Sequence, residues 1–260
     1  MKLKRVLRDK NTDVFQEKPL IIAGPCSVED YDTMEEIAVN LKELNVEYLR
    51  GGAFKPRTSP YSFQGLKDEG IEILKDIKNR YGFKIVSEVL DIRDIEYMID
   101  VVDVLQIGTR NMYNYPLLKE VGQTKKTILL KRAFSATIEE WLNAAEYIAL
   151  EGNSDIILCE RGIRTFETYT RNTLDLNAIP VVKQKTKLKV VVDPSHGTGR
   201  RELVRPMSRA AIAAGADGLI IEAHIDPDRA YSDSEQTIDL KELKLIIDDV
   251  NRIYRCINKK

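Results

Sequence analysis

Histidine and cysteine are scarce in this chain of 260 residues: two of the first, His196 and His224, and three of the second, Cys26, Cys159 and Cys256. Cysteines so few and so far apart build no disulfide framework, and reduced thiols are expected. No apolar run reaches the length that spans a bilayer. The opening Met1-Lys-Leu-Lys-Arg-Val6 lacks the apolar core of a signal peptide, so a cytoplasmic location is expected. Charge of one sign is also missing: 40 basic against 41 acidic side chains leave a net charge of -1. That excludes a global basic field for nucleic acid and a polybasic tail for a membrane surface. Charge at any ligand site must therefore be concentrated locally. What is present is 43% hydrophobic residues, enough for a full core, and a dense mixed-sign surface.

The chain has no low-complexity segment and no short repeat, but it has a rhythm. Apolar runs of strand length occur at 20–23, 47–50, 84–89, 104–107, 128–131, 155–159, 189–192 and 218–221. Helical periods separate most of them, most clearly at 71–80, 141–150, 203–214 and 240–255. Continuous apolar strands alternating with helices imply a parallel sheet buried on both faces. An open doubly wound sheet fits the local signals equally well. The count of eight favours closure, and eight units in about 250 residues is the size of a (β/α)8 barrel. One barrel domain is expected over 1–260, with 1–19 as an arm or hairpin and no room for a separate regulatory domain. The polar segment 162–187 is expected to form part of an active-site loop. Trp141 is expected to pack a helix on the barrel, and Cys159 and Cys256 to be buried as small hydrophobes.

Every expected strand delivers a polar or ionisable residue at its carboxyl end: Cys26, Arg50, Glu88, Thr109-Arg110, Lys131, Glu160-Arg161, Asp193-Pro-Ser-His196 and Glu222. In a closed barrel these ends share one mouth. The stretch Arg50-Gly-Gly-Ala-Phe-Lys-Pro-Arg-Thr-Ser-Pro60 sets three cations on a loop that glycine lets approach a ligand and proline stiffens. With Arg110, Lys131 and Arg161, the cations Arg50, Lys55 and Arg57 would repel one another unless an anion compensates. Glu88 and Glu160 offer part of that compensation. The excess points to substrates bearing two or more phosphate or carboxylate groups. A second group, Cys26, one histidine, Glu222 and an aspartate such as Asp233, falls around strands seven, eight and one. Thiolate, imidazole and carboxylate together suit a divalent transition metal. From spacing alone, a structural thiol beside a hydrogen-bonding histidine fits as well. His224 is read either as orienting a ligand or as hydrogen-bonding only.

The motifs Ala23-Gly-Pro-Cys-Ser27, Arg50 to Thr58, Ile107-Gly-Thr-Arg-Asn111, Leu130-Lys-Arg132, Asp193-Pro-Ser-His-Gly-Thr-Gly199 and Ile221-Glu-Ala-His224 carry a resemblance. Over about residues 20–240 the chain resembles the 3-deoxy-D-arabino-heptulosonate 7-phosphate synthases, in their short form of a barrel alone. The resemblance implies condensation of phosphoenolpyruvate with erythrose 4-phosphate, releasing phosphate, as the first step of the shikimate pathway. It implies a divalent metal on Cys26, His196, Glu222 and Asp233, acting as a Lewis acid on the aldehyde oxygen. Mn2+ is the foremost expectation, with Fe2+, Co2+ and Zn2+ open. Phosphoenolpyruvate is expected on Arg50, Lys55, Arg110, Lys131 and Arg161, with Thr109 and Asp193 also among the substrate-binding residues. The turn Lys55, Pro56, Arg57 and Thr58 is expected to hold the aldose phosphate. Catalytic roles are expected for Lys55 as proton donor, for Glu88 in placing the attacking water, and for His196. A homodimer or homotetramer is implied, with no nucleic acid and no membrane as partners.

The sister family, the 3-deoxy-D-manno-octulosonate 8-phosphate synthases, uses the same barrel with arabinose 5-phosphate. It characteristically carries Lys-Ala-Asn-Arg where this chain has Lys55-Pro-Arg-Thr58, and some of its members replace the metal-binding cysteine by asparagine. The proline and the shifted arginine favour the four-carbon sugar phosphate, and Cys26 favours a metal-dependent enzyme. A non-catalytic binding protein on this barrel would have lost a ligand or a clamp, and none is missing.

Overall fold

The structure, a computed structural model, describes Leu7, residues 18–55, Ser59 and residues 61–258. Eight strands, β1 (Leu20–Gly24), β2 (Tyr48–Arg50), β3 (Lys84–Val89), β4 (Val104–Ile107), β5 (Thr127–Lys131), β6 (Ile156–Glu160), β7 (Lys189–Val192) and β8 (Gly218–Glu222), pair in parallel in chain order. β1 also pairs with β8, from Leu20↔Gly218 to Gly24↔Glu222, and closes the barrel. The alternating apolar runs thus form the (β/α)8 barrel expected, and the open-sheet alternative is excluded. Each helix between strands buries one stripe. In α1 (Tyr31–Glu43) the stripe is Met34, Ile37, Ala38 and Leu41, the three- and four-residue spacing of a helix face. The helix α5 (Ile138–Leu150) starts at a reciprocal cap between Thr137 and Glu140. Its Trp141 is buried and donates its indole N–H to Leu130 O at 3.1 Å, so the tryptophan does pin a helix to β5.

Successive side chains on a strand point to opposite faces, and here the two faces carry different chemistry. One set, including Ala23, Leu49, Ile85, Leu105, Leu130, Leu158, Val190 and Leu219, packs in the layer between strands and helices. The other set, Ile22, Val86, Val104, Leu129, Ile157, Cys159, Val191 and Ile220, forms a separate apolar plug inside the barrel. Two residues further along the same inner face stand Glu88, Gln106, Lys131, Arg161, Asp193 and Glu222, with Arg50 two beyond the partly buried Tyr48 that packs on the plug. A polar layer therefore caps an apolar one at the carboxyl end of the barrel, the end where such folds keep their sites.

Leu7 is buried in the outer layer; of the arm expected over 1–19, residues 1–6 and 8–17 lie outside the described residues. Cys159 is buried as expected, but Cys256 is exposed. On the last helix, α9 (Leu240–Asn258), the buried positions are Leu243, Ile246, Val250 and Tyr254. Cys256 lies two residues past Tyr254, on the opposite face of the helix. Among the described residues, no helix is long and apolar enough to cross a membrane.

Candidate active site

A cavity of about 310 Å³ opens at the polar end of the barrel, lined by Arg50, Lys55, Glu88, Gln106, Gly108, Thr109, Arg110, Lys131, Phe134, Arg161, Arg171, His196 and Asp233, together with Ser59 and Ser62. Of the six cations expected at the mouth, five line it. Arg57 lies with Pro56 and Thr58 outside the described residues. Arg50 is buried and gives a hydrogen bond to Glu222 Oε1 at 2.9 Å. Lys131 is buried and pairs with Asp193 Oδ2 at 2.6 Å. Arg161 differs: it is 3% exposed, and its Nε and one terminal nitrogen have no hydrogen-bond partner. Its guanidinium lies 4.9 Å from the Phe134 ring centre, and burial pulls its pKa below the usual arginine range. A buried cation with idle donors is costly until an anion meets it. The chain thus holds an anion-ready group beside a cavity.

Glu160 does not supply the compensation expected of it. It stands one residue off the interior register, in the outer layer. There Arg132 bridges it to Asp175 at 2.9 Å and 2.8 Å, and Gly162 N donates to its other oxygen. Glu88 remains in the cavity wall, where Gln106 Nε2 reaches it at 3.4 Å. A Cβ on Gly108 would overlap Glu88 Oε1, so the glycine makes room for this carboxylate.

Two of the lining residues, His196 and Asp233, converge with Cys26 and Glu222: each of the four offers one donor atom, and the four atoms all lie within 4.8 Å of one another. They come from four points along the chain: Cys26 follows β1, Glu222 ends β8, Asp233 sits in the loop after β8, and His196 is on a short helix (Pro194–Thr198) behind β7. Asp193 caps that helix by accepting from His196 N at 2.9 Å, and its other oxygen meets His196 Nδ1 at 2.8 Å. Burial would raise the Asp193 carboxyl, but the His196 ring and the Lys131 ammonium against it hold it well below its usual range. An ionised carboxylate only accepts, so Nδ1 carries the proton and Nε2 keeps its lone pair. That nitrogen faces Glu222 Oε1 at 3.3 Å. Burial lowers the His196 pKa, which keeps the ring neutral at pH 7. Burial acts against ionisation of Glu222 and Asp233 too, yet His196 and its other partners, Arg50 for Glu222 and Arg171 for Asp233, leave both pKa values lowered.

The Cys26 thiol donates to Asp233 Oδ2 at 2.9 Å, and Lys55 Nζ lies 2.9 Å from the sulfur and 3.0 Å from Cys26 O. Burial first, then the Glu222 charge, push the thiol up to about 12. Burial alone would lower the Lys55 amine, but Cys26, Glu88 and Glu222 leave it raised. One thiol, one neutral imidazole nitrogen and two carboxylate oxygens converging on one point fit a borderline divalent cation.

His224 does not join this group. It is buried beside Glu29, 3.6 Å from its Nε2, and its Nδ1 meets the Asp226 backbone. Glu29 also accepts from Tyr231 N at 2.8 Å, so the pair joins the β1 and β8 loops. Sequence reasoning passed over Gln106, Arg171 and Gln236. For Gln106 the signal was a lone amide inside an otherwise apolar strand; Arg171 and Gln236 sit in irregular loops where no period marks them. The loop 162–177 does reach the site. Ile163 and Thr173 pair antiparallel across its base, and Arg171 lines the cavity.

Fold and site together define a (β/α)8-barrel enzyme in which four donor atoms that could hold a metal and a cation-lined cavity share one mouth. The DAHP synthetase I family model matches residues 10–254. The chain belongs to that family, as the motifs at its strand ends led one to expect. It is 50% identical over 240 residues to the phospho-2-dehydro-3-deoxyheptonate aldolase of Thermotoga maritima, covering 92% of this chain and 71% of the relative. The crystal structure of the Thermotoga maritima phospho-2-dehydro-3-deoxyheptonate aldolase (DAHP synthase) superposes with a TM-score of 0.90 at 48% identity, over 94% of this chain and 71% of that one. The 2-dehydro-3-deoxyphosphooctonate aldolase of Desulfosudis oleivorans is 30% identical over 246 residues, 88% of each chain. The sister activity is therefore the more remote likeness.

Proposed function

We propose that this chain is a metal-dependent 3-deoxy-D-arabino-heptulosonate 7-phosphate synthase, joining phosphoenolpyruvate to erythrose 4-phosphate with loss of inorganic phosphate. The observation that carries the reading is Arg161, buried with two idle donors in the cavity that His196 and Asp233, two of the four converging donor residues, also line. Cys26, His196, Glu222 and Asp233 would hold the metal, which supplies Lewis acidity toward the aldehyde oxygen when bound. Mn2+ is the first choice for a mixed sulfur, nitrogen and oxygen set, with Fe2+, Co2+ and Zn2+ as competitors.

Arg161, Arg110, Lys131 and Arg50 grip the carboxylate and phosphate of phosphoenolpyruvate, with Thr109 and Asp193 flanking them. The turn Pro56-Arg57-Thr58 takes the phosphate of the aldose. Carbon 3 of phosphoenolpyruvate bonds to the aldehyde carbon, and Lys55 Nζ gives its proton to the developing alkoxide. Glu88, steadied by Gln106, holds the water whose oxygen bonds to carbon 2 and takes one of its protons. The bond from carbon 2 to the phosphate oxygen then breaks, the phosphate leaving with the bonding pair, while the new hydroxyl gives it its proton and becomes the ketone. Fixing both substrates side by side at one barrel mouth removes much of the entropic barrier to the first bond.

Phosphate release should require both substrates and a divalent ion, stop with chelator, and be faster with erythrose 4-phosphate than with arabinose 5-phosphate. Lys55→Ala should lower kcat by roughly 100- to 10,000-fold, the usual range for a positioned proton donor. A variant with near-normal kcat assigns the proton to another group. Faster turnover of arabinose 5-phosphate makes the chain a member of the sister activity.

A further inference from the structure

Both carboxylates of the metal-binding set have one oxygen turned inward and one tied from behind. Asp233 Oδ2 and Glu222 Oε1 face Cys26 Sγ and His196 Nε2, at 2.9 Å and 3.3 Å. The outward oxygens meet a single network. One terminal nitrogen of Arg171 donates to Asp233 Oδ1 at 2.9 Å and to Gln236 Oε1 at 3.1 Å. Gln236 Nε2 in turn donates to Glu222 Oε2 at 2.7 Å. Gln236 is 2% exposed and both ends of its amide are engaged here, so the network fixes which way the amide points.

The backbone shows the same purpose. Asp233 sits at φ +58, a left-handed conformation that aspartate tolerates but does not favour. Thr237 N and Oγ1 close on its carbonyl at 3.2 Å and 2.9 Å. Arg171 arrives from the loop after β6, whose base is held by Ile163 and Thr173 and whose Arg171 N donates to Thr198 O at 2.9 Å. Three separate segments thus meet behind the two carboxylates.

We propose that Arg171 and Gln236 are positioning residues of the metal centre, fixing the Asp233 and Glu222 side chains so that one oxygen of each is presented to the ion. This rests on the reading of Cys26, His196, Glu222 and Asp233 as the metal-binding set. Simple Coulomb attraction predicts the opposite effect for one member of the pair. Removing the Arg171 cation from beside a dication should by itself tighten binding. Weaker binding without it therefore reports orientation and not charge. Outer partners of metal ligands commonly contribute 10- to 100-fold in affinity.

The test titrates the full chain, stripped of metal, with Co2+, reading the thiolate-to-cobalt absorption of Cys26 and competing with a chelator of known affinity. Arg171→Met and Gln236→Met should each raise the Kd about 10- to 100-fold and alter the absorption band, and Arg171→Lys should recover much of the loss. Circular dichroism and Tm of the metal-free proteins check folding. A variant that fails to fold is replaced by Gln236→Asn or Arg171→Lys, for which a smaller rise of the same sign is expected. An unchanged or lower Kd in folded variants overturns the proposal. So does an Arg171→Met protein with wild-type Kd but a raised KM for either substrate at saturating Co2+, which would make Arg171 a substrate contact. A wild-type protein with no thiolate–cobalt band overturns the metal-binding set itself, and this proposal with it.

Discussion

At Cys26 the protein keeps a proton on a sulfur that a metal held as proposed would need bare. Burial first, then the neighbouring Glu222 and Asp233 carboxylates, hold the thiol up at about 12, while Lys55 donates to it from 2.9 Å. The other three groups need lose no proton near neutrality. His196 is shifted down, toward the neutral ring, and Glu222 and Asp233 are shifted down, toward the carboxylate. Metal uptake between pH 6.5 and 8.5 should then release about one proton, from Cys26, and affinity should rise about tenfold per pH unit. The sign follows from mass action: fewer protons in solution favour the state that has given one up. Metal titrations at several pH values check this, and Cys26→Ser should flatten the slope as well as weaken binding. A flat profile in the unaltered protein would place the released proton elsewhere.

The strand end is the working element of the site, and two glycines there serve different ends. Gly24, at φ +146 on the last position of β1, lies so close to β2 that a Cβ would strike Arg50 O, a backbone atom that cannot step aside. Gly24→Ala should destabilise by roughly 2 kcal/mol or more, seen as a lower urea midpoint. Gly108, just past β4, has an ordinary negative φ, and its added Cβ would meet only the end of the flexible Glu88 side chain. Gly108→Ala should keep the urea midpoint nearly unchanged while lowering kcat roughly tenfold or more, by displacing the carboxylate assigned to the water. The strands themselves were legible because eight apolar runs recur between helical periods; observed and expected limits differ by no more than one residue at either end. The split of each strand into a plug face and a helix face was not legible, since a strand buried on both sides reads as one apolar run. For that reason Glu160 was expected in the mouth and is found behind it, bound to Arg132. Arg171 and Gln236 were missed for a second reason: loop residues carry no period, and only the fold brings them behind Asp233 and Glu222.

For the molecule as a whole, the proposed metal set would be a clasp between distant stretches of chain. Its four residues span from Cys26 to Asp233, so a bound ion ties the first strand to the loop after the last. Anything that binds only the folded state stabilises it by mass action, about 2.7 kcal/mol at a free concentration 100 times the Kd. For a chain of 260 residues that corresponds to a rise in Tm of roughly 5–10 °C, lost on adding chelator. Thermal scans with and without Mn2+ measure it, and an equal Tm in both would argue that this set does not hold the ion. The clasp acts on the seam where β1 meets β8, the one junction of the barrel that joins strands from opposite ends of the chain.

The two-residue step from plug to polar layer has an evolutionary meaning. Ile220 and Glu222, Leu129 and Lys131, Val191 and Asp193 are each two residues apart, yet one of each pair packs the plug and the other stands in the polar tier assigned to the reaction. Selection for a new substrate can rewrite the upper tier while the lower one goes on certifying the barrel. Lineages that part in chemistry are then expected to differ first in alternate letters of the same eight short words.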